Sequence, residues 1–343
     1  MIIDLHTHPF GNPDFNPGDA IQSRRDVVTL RRRRPDVFRS RYVNVQDLTD
    51  LLVADMQAGR IDKAFIQPGF AEDPVLVATA VKKHPQHLIG LFNVGHEHAR
   101  HPAESEILQK IDWTRTGEQI EHYVKDLGLV GCGEVLPTRF TSESAPERIA
   151  KELRPLMEIL ARYRVPVMFL TGWTQFSTPL YHGMPLFADV LAEWFPEVPI
   201  IITKMGRGYS FIFEMALAVA YKHPNVYFDI VQAPPEHIER GVRELGADRI
   251  MFGTDWSPTW RAEAGDIYKK NLQKVEILEI SEEAKDWIRW KTAAKLFRLN
   301  IAEGRKEGRS GTYVGRGSLA ERNPPYDHSR DTRARFSPKP HSR

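Results

Sequence analysis

Ile2-Ile3-Asp4-Leu5-His6-Thr7-His8 opens the chain with an apolar, β-branched run that ends in two histidines spaced two residues apart. Side chains alternate sides along an extended strand, so His6 and His8 share one face at its C-terminal end. Runs of the same kind recur at Lys63–Ile66, Leu88–Asn93, Leu129–Glu134, Val165–Leu170, Ile200–Thr203, Val226–Ile230 and Arg249–Thr254, making eight with the first. Amphipathic stretches lie between them, at Leu48–Gly59, Ala145–Tyr163, Leu186–Phe195, Phe211–Tyr221 and Glu236–Leu245, each long enough for a helical crossover. Eight strands alternating with helices predict an α/β fold of the closed (β/α)8 TIM-barrel type, which takes about 250 residues as one unit. A doubly wound open sheet is the alternative.

The composition agrees with one large soluble domain. Of 343 residues 41% are hydrophobic and 27% charged, which excludes a chain disordered throughout. Lys and Arg total 47 against 45 Asp and Glu, a formal charge of +2, so no global field recruits nucleic acid or an anionic membrane, and the expected ligand is a small molecule. The single cysteine, Cys132, excludes an internal disulfide and a cysteine-based zinc module, and it fits a reducing compartment such as the cytoplasm. No apolar run reaches the roughly 20 residues that span a bilayer, and Met1–Phe10 lacks the basic-then-apolar order of a signal peptide.

Two segments break the strand–helix rhythm. Residues Asn12–Val43 form an insertion after the first strand that holds Arg24, Arg25, Arg31, Arg32, Arg33, Arg34, Arg39 and Arg41. It reads either as a solvated or subunit-contacting helix or as a lid whose guanidinium groups receive a carboxylate or phosphate. The tail Gly304–Arg343 is rich in Gly, Arg, Ser and Pro, with no apolar periodicity. The expected organisation is a barrel over residues 1–303, insertion 12–43 included, and a polar tail over 304–343. A tail without a core of its own is expected to lie on a neighbouring chain, in a homo-oligomer or beside a homologous barrel.

Active sites of such barrels form where the strands end at their C-terminal edge. Two imidazoles there can hold one metal ion, and Asp255, closing the eighth strand in Gly253-Thr254-Asp255-Trp256, would face the same ion; the competing reading of Asp255 is a helix cap. Glu134 ends the fourth strand and is a candidate fourth ligand or proton carrier, or else a salt-bridge partner of Arg139. Period-two geometry points Cys132 the same way as Glu134, although a cysteine in an apolar strand is usually packing. His96, His98, Arg100 and His101 form a second histidine cluster that reads as surface. Trp173, His182, Tyr209, Trp256 and Trp260 fall on loops at the mouth and are candidate pocket walls.

These blocks together resemble the amidohydrolase superfamily. The similarity rests on His6-Thr7-His8-Pro9-Phe10, Ile250–Trp256, Val165–Phe169 before Thr171-Gly172, and Phe195-Pro196 leading to Ile200–Ile202 and Met205-Gly206, and it runs from about Met1 to Asn300. The nearest branch is the amidohydrolase-related group that includes aminocarboxymuconate semialdehyde decarboxylase and resorcylate decarboxylases. The resemblance implies a TIM barrel with a metal at its mouth, and it exposes two departures. Where the family carries a histidine after strand five this chain has Leu170, and where a second histidine ends strand six it has Lys204. Leucine binds no metal. The lysine is an ion-pair partner, a carbamylated ligand, or a deprotonated one.

What remains is His6, His8 and Asp255 with Glu134 nearby, one divalent ion (iron or zinc, with manganese also suited) and three reading classes. A two-histidine, one-carboxylate set suits iron and dioxygen, and a small branch resembling the superfamily performs iron-dependent hydroxylation. An oxygenase component, in the manner of a reduced subunit beside an intact homologue, is therefore the first expectation. A divergent hydrolase or non-oxidative decarboxylase using Asp255, Glu134 or Lys204 for proton transfer is the second. A non-catalytic barrel is the third.

Overall fold

The computed structural model describes residues 1–13, 44–69, 73–94, 111–137, 140–172, 180–258 and 265–301, with the side chain of His182 outside that set. Most of the Arg-rich insertion, the tail from Gly304, His96, His98, Arg100, His101, Arg139, Trp173 and Trp260 also lie outside the described residues.

All eight expected strands are present: β1 (Ile3–Thr7), β2 (Lys63–Ile66), β3 (Leu88–Gly90), β4 (Cys132–Val135), β5 (Val167–Phe169), β6 (Ile200–Ile202), β7 (Val226–Asp229) and β8 (Ile250–Met251). Every neighbouring pair within β1-β2-β3 and within β4-β5-β6-β7-β8 is parallel. Two seams join these sheets into a ring. Phe92 bridges Cys132 between β3 and β4, with the Phe92 amide donating to the Gly131 carbonyl at 3.0 Å. Thr7 bridges Trp256 between β8 and β1, where Leu5 donates to Phe252 at 3.0 Å and Asp255 donates to His6 at 2.9 Å. With both seams bonded, the sheet has no free edge, and the barrel is closed.

Alternation along the strands divides the core in two. Ile3 and Leu5, Phe65, Ile89 and Leu91, Val130, Met168, Ile201, Tyr227 and Met251 pack into one cluster that takes a side chain from each strand or its lead-in, and this is the barrel interior. Ala293 and Phe297 join it, with Phe297 against Phe65 at 4.5 Å between ring centroids, so the C-terminal helices plug the end opposite the mouth. The other face, including Ala64, Ile66, Val167, Phe169, Ile200, Ile202, Phe228 and Ile250, meets the surrounding helices. Strands buried on both sides read as continuous apolar runs, and Ile200-Ile201-Ile202 has no exposed surface at all. Burial of each such isoleucine is worth about 1.5–3 kcal/mol.

Five of the surrounding helices match the amphipathic stretches of the sequence: Thr49–Gly59, Pro146–Tyr163, Leu186–Trp194, Ser210–Lys222 and Pro235–Leu245. The longest buries Ile149, Leu153, Leu156, Met157 and Leu160, spaced so that one stripe faces the sheet. No helix among the described residues is long and apolar enough to cross a membrane.

The strand register is regular across β5 and β6, where Val167, Met168 and Phe169 face Ile200, Ile201 and Ile202. In β1 it slips: Asp4 faces Ala64 but Thr7 faces Ile66, which leaves one extra residue between them. The same slip occurs in β4, where Cys132 faces Val167 and Glu134 faces Met168. A bulge of this kind reverses which residues face inward. Before it, Ile3 and Leu5 point into the barrel; after it, His6 and His8 do. In β4 it sends Cys132 into the outer core and Glu134 to the mouth, which corrects the expectation that the two share a direction.

Candidate active site

His6, His8, Glu134, Lys204 and Asp255 meet at the C-terminal mouth of the barrel. Three donor atoms, His6 Nε2, His8 Nε2 and Asp255 Oδ1, form a triangle with edges of 3.2, 3.5 and 3.4 Å. Ligands about 2.1 Å from a tetrahedral ion stand about 3.4 Å apart, so this triangle fits one small divalent ion. Among the described residues it is the one group of three such donors. Glu134 borders the triangle: Oε1 lies 3.5 Å from His6 Nε2, accepts from the Thr203 hydroxyl at 2.9 Å and faces Lys204 Nζ at 3.3 Å, while Oε2 lies 3.9 Å from His8 Nε2.

Lys204 is paired. Its ammonium donates to Asp255 Oδ2 at 2.9 Å and lies 3.5 Å from His6 Nε2, with its side chain almost completely buried. The two oxygens of Asp255 therefore do different work, Oδ1 facing the histidines and Oδ2 facing the ammonium. Burial opposes the charge on Lys204, but the Asp255 and Glu134 carboxylates outweigh it and raise the ammonium above its usual range. Burial likewise opposes both carboxylates, and Lys204 with His6 holds Glu134 and Asp255 well below the usual carboxylate range. For His6, burial and Lys204 push the imidazole down, and Glu134 and Asp229 lift it to about 10.

Backbone in the left-handed region marks the same mouth. Lys204, Met205, Gly206 and Arg207 have φ of 69°, 39°, 77° and 57°, one left-handed turn directly after β6. Such a conformation costs roughly 1–2 kcal/mol per non-glycine residue and is kept where the surroundings impose it. Gly206 is required in that turn, because a Cβ there would stand 2.5 Å from the Phe213 backbone nitrogen. Gln232 and Asp255, at the next two strand ends, also have positive φ, 55° and 61°.

Several residues that position the donors were not identified from the sequence. Asp229, at the end of β7, accepts from His6 Nδ1 at 2.8 Å and from the Lys204 and Val231 amides at 2.7 and 3.1 Å. A carboxylate only accepts, so Nδ1 carries the proton of that bond and Nε2 is the ring nitrogen turned toward the triangle. Gln67, following β2, accepts from the Glu134 amide at 2.6 Å and turns its NH2 to His8 Nε2 at 3.3 Å. Asp4 accepts from the His6 and Thr254 amides at 3.0 and 3.1 Å and from the Thr254 hydroxyl at 2.5 Å, tying β1 to the loop that carries Asp255. Burial raises Asp4 to about 7, against those hydrogen bonds. The one available signal for Asp229 was a carboxylate inside the apolar run Val226-Tyr227-Phe228-Asp229-Ile230-Val231.

The expected pocket walls fare differently. Trp256 is fully buried in the outer core, and its indole donates to Asp55 Oδ2 at 2.9 Å, so it anchors the β8 loop instead of lining a pocket. Tyr209 is half-buried just after the left-handed turn, with its ring 6.0 Å from that of Phe211. His182 belongs to a short helical turn, Leu180–Gly183. Leu170 is buried at the end of β5 and offers no donor.

A sequence model of the family described as Amidohydrolase matches residues 3–299. No curated protein matches the sequence. Among solved structures the chain is similar to a 2,6-dihydroxybenzoate decarboxylase from Rhizobium, at 15% identity and a TM-score of 0.57, over 88% of this chain and 99% of that one. It is also similar to a dihydroxybenzoic acid decarboxylase from Polaromonas sp. JS666 with bound manganese and 2-nitroresorcinol, at 18% identity and a TM-score of 0.56, over 88% and 98%. A third is 4-oxalomesaconate hydratase from Rhodopseudomonas palustris, at 19% identity and a TM-score of 0.56, over 87% and 96%. At these identities the likeness establishes the fold.

Proposed function

This chain belongs to the amidohydrolase family, and from that premise we propose that it is a metal-dependent enzyme that removes CO2 from a small carboxylic acid without oxidation. The observation that carries this reading is the Lys204 ammonium beside the donor triangle: a proton source next to a place for a divalent ion. Decarboxylation uses both. The bond from the carboxylate carbon to its neighbour breaks, CO2 leaves, and the electron pair stays on the neighbouring carbon until that carbon takes a proton.

A divalent ion, when bound, supplies Lewis acidity toward the oxygens of the substrate. His6, His8 and Asp255 Oδ1 would hold it, with Asp229 keeping His6 in the tautomer that presents Nε2. Lys204 Nζ gives its proton to the carbanionic carbon and is reprotonated from solvent. Asp255 Oδ2 and Glu134 Oε1 keep the ammonium charged and placed until that transfer. Leu170 and Lys204 remove the donors of a second ion, so the centre takes one.

Two of the structural neighbours are named as decarboxylases of dihydroxybenzoic acids, and one holds manganese. This favours manganese over iron or zinc. Iron-dependent oxygenation, placed first from the donor set and from the resemblance to a hydroxylating branch, draws no support from these neighbours and yields to decarboxylation. The test is CO2 release by the manganese-loaded full-length chain from a panel of hydroxylated benzoates and unsaturated acids, one CO2 for each protonated product. Replacing Lys204 with Met should lower that rate about 10²–10⁴-fold, the usual worth of a positioned acid, with manganese retained. Full manganese occupancy without CO2 release from any acid in the panel would end the reading.

A further inference from the structure

Lys204 carries the proton in the proposed reaction, and its backbone has a left-handed φ of 69°. A residue in that region returns to ordinary negative φ when the peptide joining it to the preceding residue turns over. In this chain that peptide, between Thr203 and Lys204, is gripped at both ends. The Thr171 hydroxyl donates to its carbonyl at 3.0 Å, and its amide donates to Asp229 Oδ1 at 2.7 Å. Turning the peptide over would bring the carbonyl oxygen against the Asp229 carboxylate, two acceptors with no proton between them. Thr171, Thr203 and Asp229 have no exposed surface, so bulk water replaces neither partner.

The grip comes from the strands on either side of β6. Thr171 follows β5, and Asp229 ends β7. The β5 loop lies this close because Gly172 has no side chain: a Cβ there would stand 2.8 Å from Arg207 Cβ, at the far end of the same left-handed turn. The Thr203 side chain adds a third tie. Its hydroxyl donates at 2.9 Å to Glu134 Oε1, the oxygen that faces Lys204 Nζ at 3.3 Å. Asp229 also serves His6, whereas the Thr171 hydroxyl serves the peptide and not a metal donor.

We propose that Thr171 is a positioning residue for proton delivery. With Asp229 it keeps the peptide before Lys204 from turning over, and so keeps Nζ on Asp255 Oδ2. The role of Lys204 as proton donor rests on the decarboxylase reading above; the grip rests on Thr171, Thr203 and Asp229. Thr171 takes no part in the proton transfer itself.

The experiment deletes the hydroxyl with Thr171→Val, which keeps the branched shape, and restores it with Thr171→Ser. Lysines of the manganese-loaded full-length chain are acetylated with acetic anhydride, and the rates at Lys204 and Lys285 are read by mass spectrometry. Lys285 is buried among the C-terminal helices, where it donates to the Glu276 carbonyl, and it reports general loosening of the fold. Thr171→Val should speed acetylation of Lys204 about tenfold, the population change governed by one net hydrogen bond, with Lys285 and manganese content unchanged. CO2 release at saturating acid should fall by a similar factor. Thr171→Ser should return both to near the wild-type values. The proposal is overturned by a valine variant in which Lys204 reacts no faster, by a rise that Lys285 shares equally, or by a serine variant that behaves as the valine one. Undiminished CO2 release beside a faster-reacting Lys204 overturns it as well. The expected acetylation pattern in a chain whose wild type releases no CO2 leaves the grip standing and the decarboxylase reading failed.

Discussion

The two sides of the barrel mouth are built from the same strands and hold opposite chemistry. On the β1–β8 side, His6, His8 and Asp255 bring three possible ligand atoms to one point, and a bulge in β1 turns the histidines inward. On the β5–β6 side, where the register is regular, the strand ends offer Leu170, which has no donor, and Lys204, which brings a cation. The carboxylates of Asp255 and Glu134 lie between, each within reach of both a histidine and the ammonium. In the reading proposed above, a mouth with donors on one side and a fixed positive charge on the other takes one metal ion, and the Lys204 ammonium stands where further positive charge would be.

The largest effect on this asymmetry comes from removing its donor side. His6→Ala combined with His8→Ala leaves Asp255 as the last member of the triangle, and one carboxylate does not hold a manganese ion. Metal content measured by mass spectrometry should fall from about one ion per chain to near zero, and CO2 release with it. Asp229→Asn is the graded version of the same change: it removes the carboxylate on His6 Nδ1 and should weaken manganese about 10–100-fold. Undiminished metal in the double alanine variant would place the ion elsewhere and dissolve the comparison.

The opposite change converts the cationic side into a second donor side. Leu170→His with Lys204→His removes the ammonium and adds two imidazoles, and Glu134 and Asp255 lose the partner that neutralises them. Stoichiometry should rise from about one ion toward two, because two carboxylates freed of their cation next to new imidazoles favour a dication. A double variant that still binds one ion would mean that backbone placement at β5 and β6, rather than residue identity, sets the limit. The left-handed turn at Lys204 makes that outcome a fair contest, since the substituted histidine must accept φ of 69°.

The legible and illegible parts of this molecule divide along the same physical lines. The strands could be read because parallel strands buried on both faces leave continuous apolar runs, and Ile200-Ile201-Ile202 is the plainest of them. That His6, His8 and Asp255 meet could be read because each stands at the C-terminal end of a strand of one barrel. The bulges could not, since one extra residue in β1 or β4 leaves the pattern of residue types unchanged while reversing which face is buried. That is why His6 and His8 were rightly placed together, whereas Cys132 was wrongly aligned with Glu134. Asp229 escaped because its partner, His6, is 223 residues away in the chain. Lys204 and Arg207 sit in a turn whose handedness no local propensity announces, with only its glycines as a clue.

Trp256 was misread for a related reason, and it yields the prediction with the smallest expected effect on the metal. An aromatic residue next to a ligand suggests a pocket wall, but strand alternation carries the residue after Asp255 outward, into the layer between sheet and helices. There the indole donates to the buried Asp55 at 2.9 Å and pins the loop from behind. Trp256→Phe keeps most of the apolar volume and deletes that donor, leaving a buried carboxylate oxygen short of a hydrogen bond. The expected cost is about 1–3 kcal/mol of folding stability, read as a lower denaturant midpoint. The Asp4 bonds to Thr254 and the Asp255 amide bond to His6 are untouched, so Asp255 keeps its place and manganese stoichiometry should stay near one. A pocket wall would behave in reverse, with stability nearly unchanged and acid binding weakened. If Trp256→Phe loosens benzoate while leaving the midpoint where it was, the tryptophan belongs to the mouth after all, and the boundary between the catalytic face and its scaffold must be redrawn at β8.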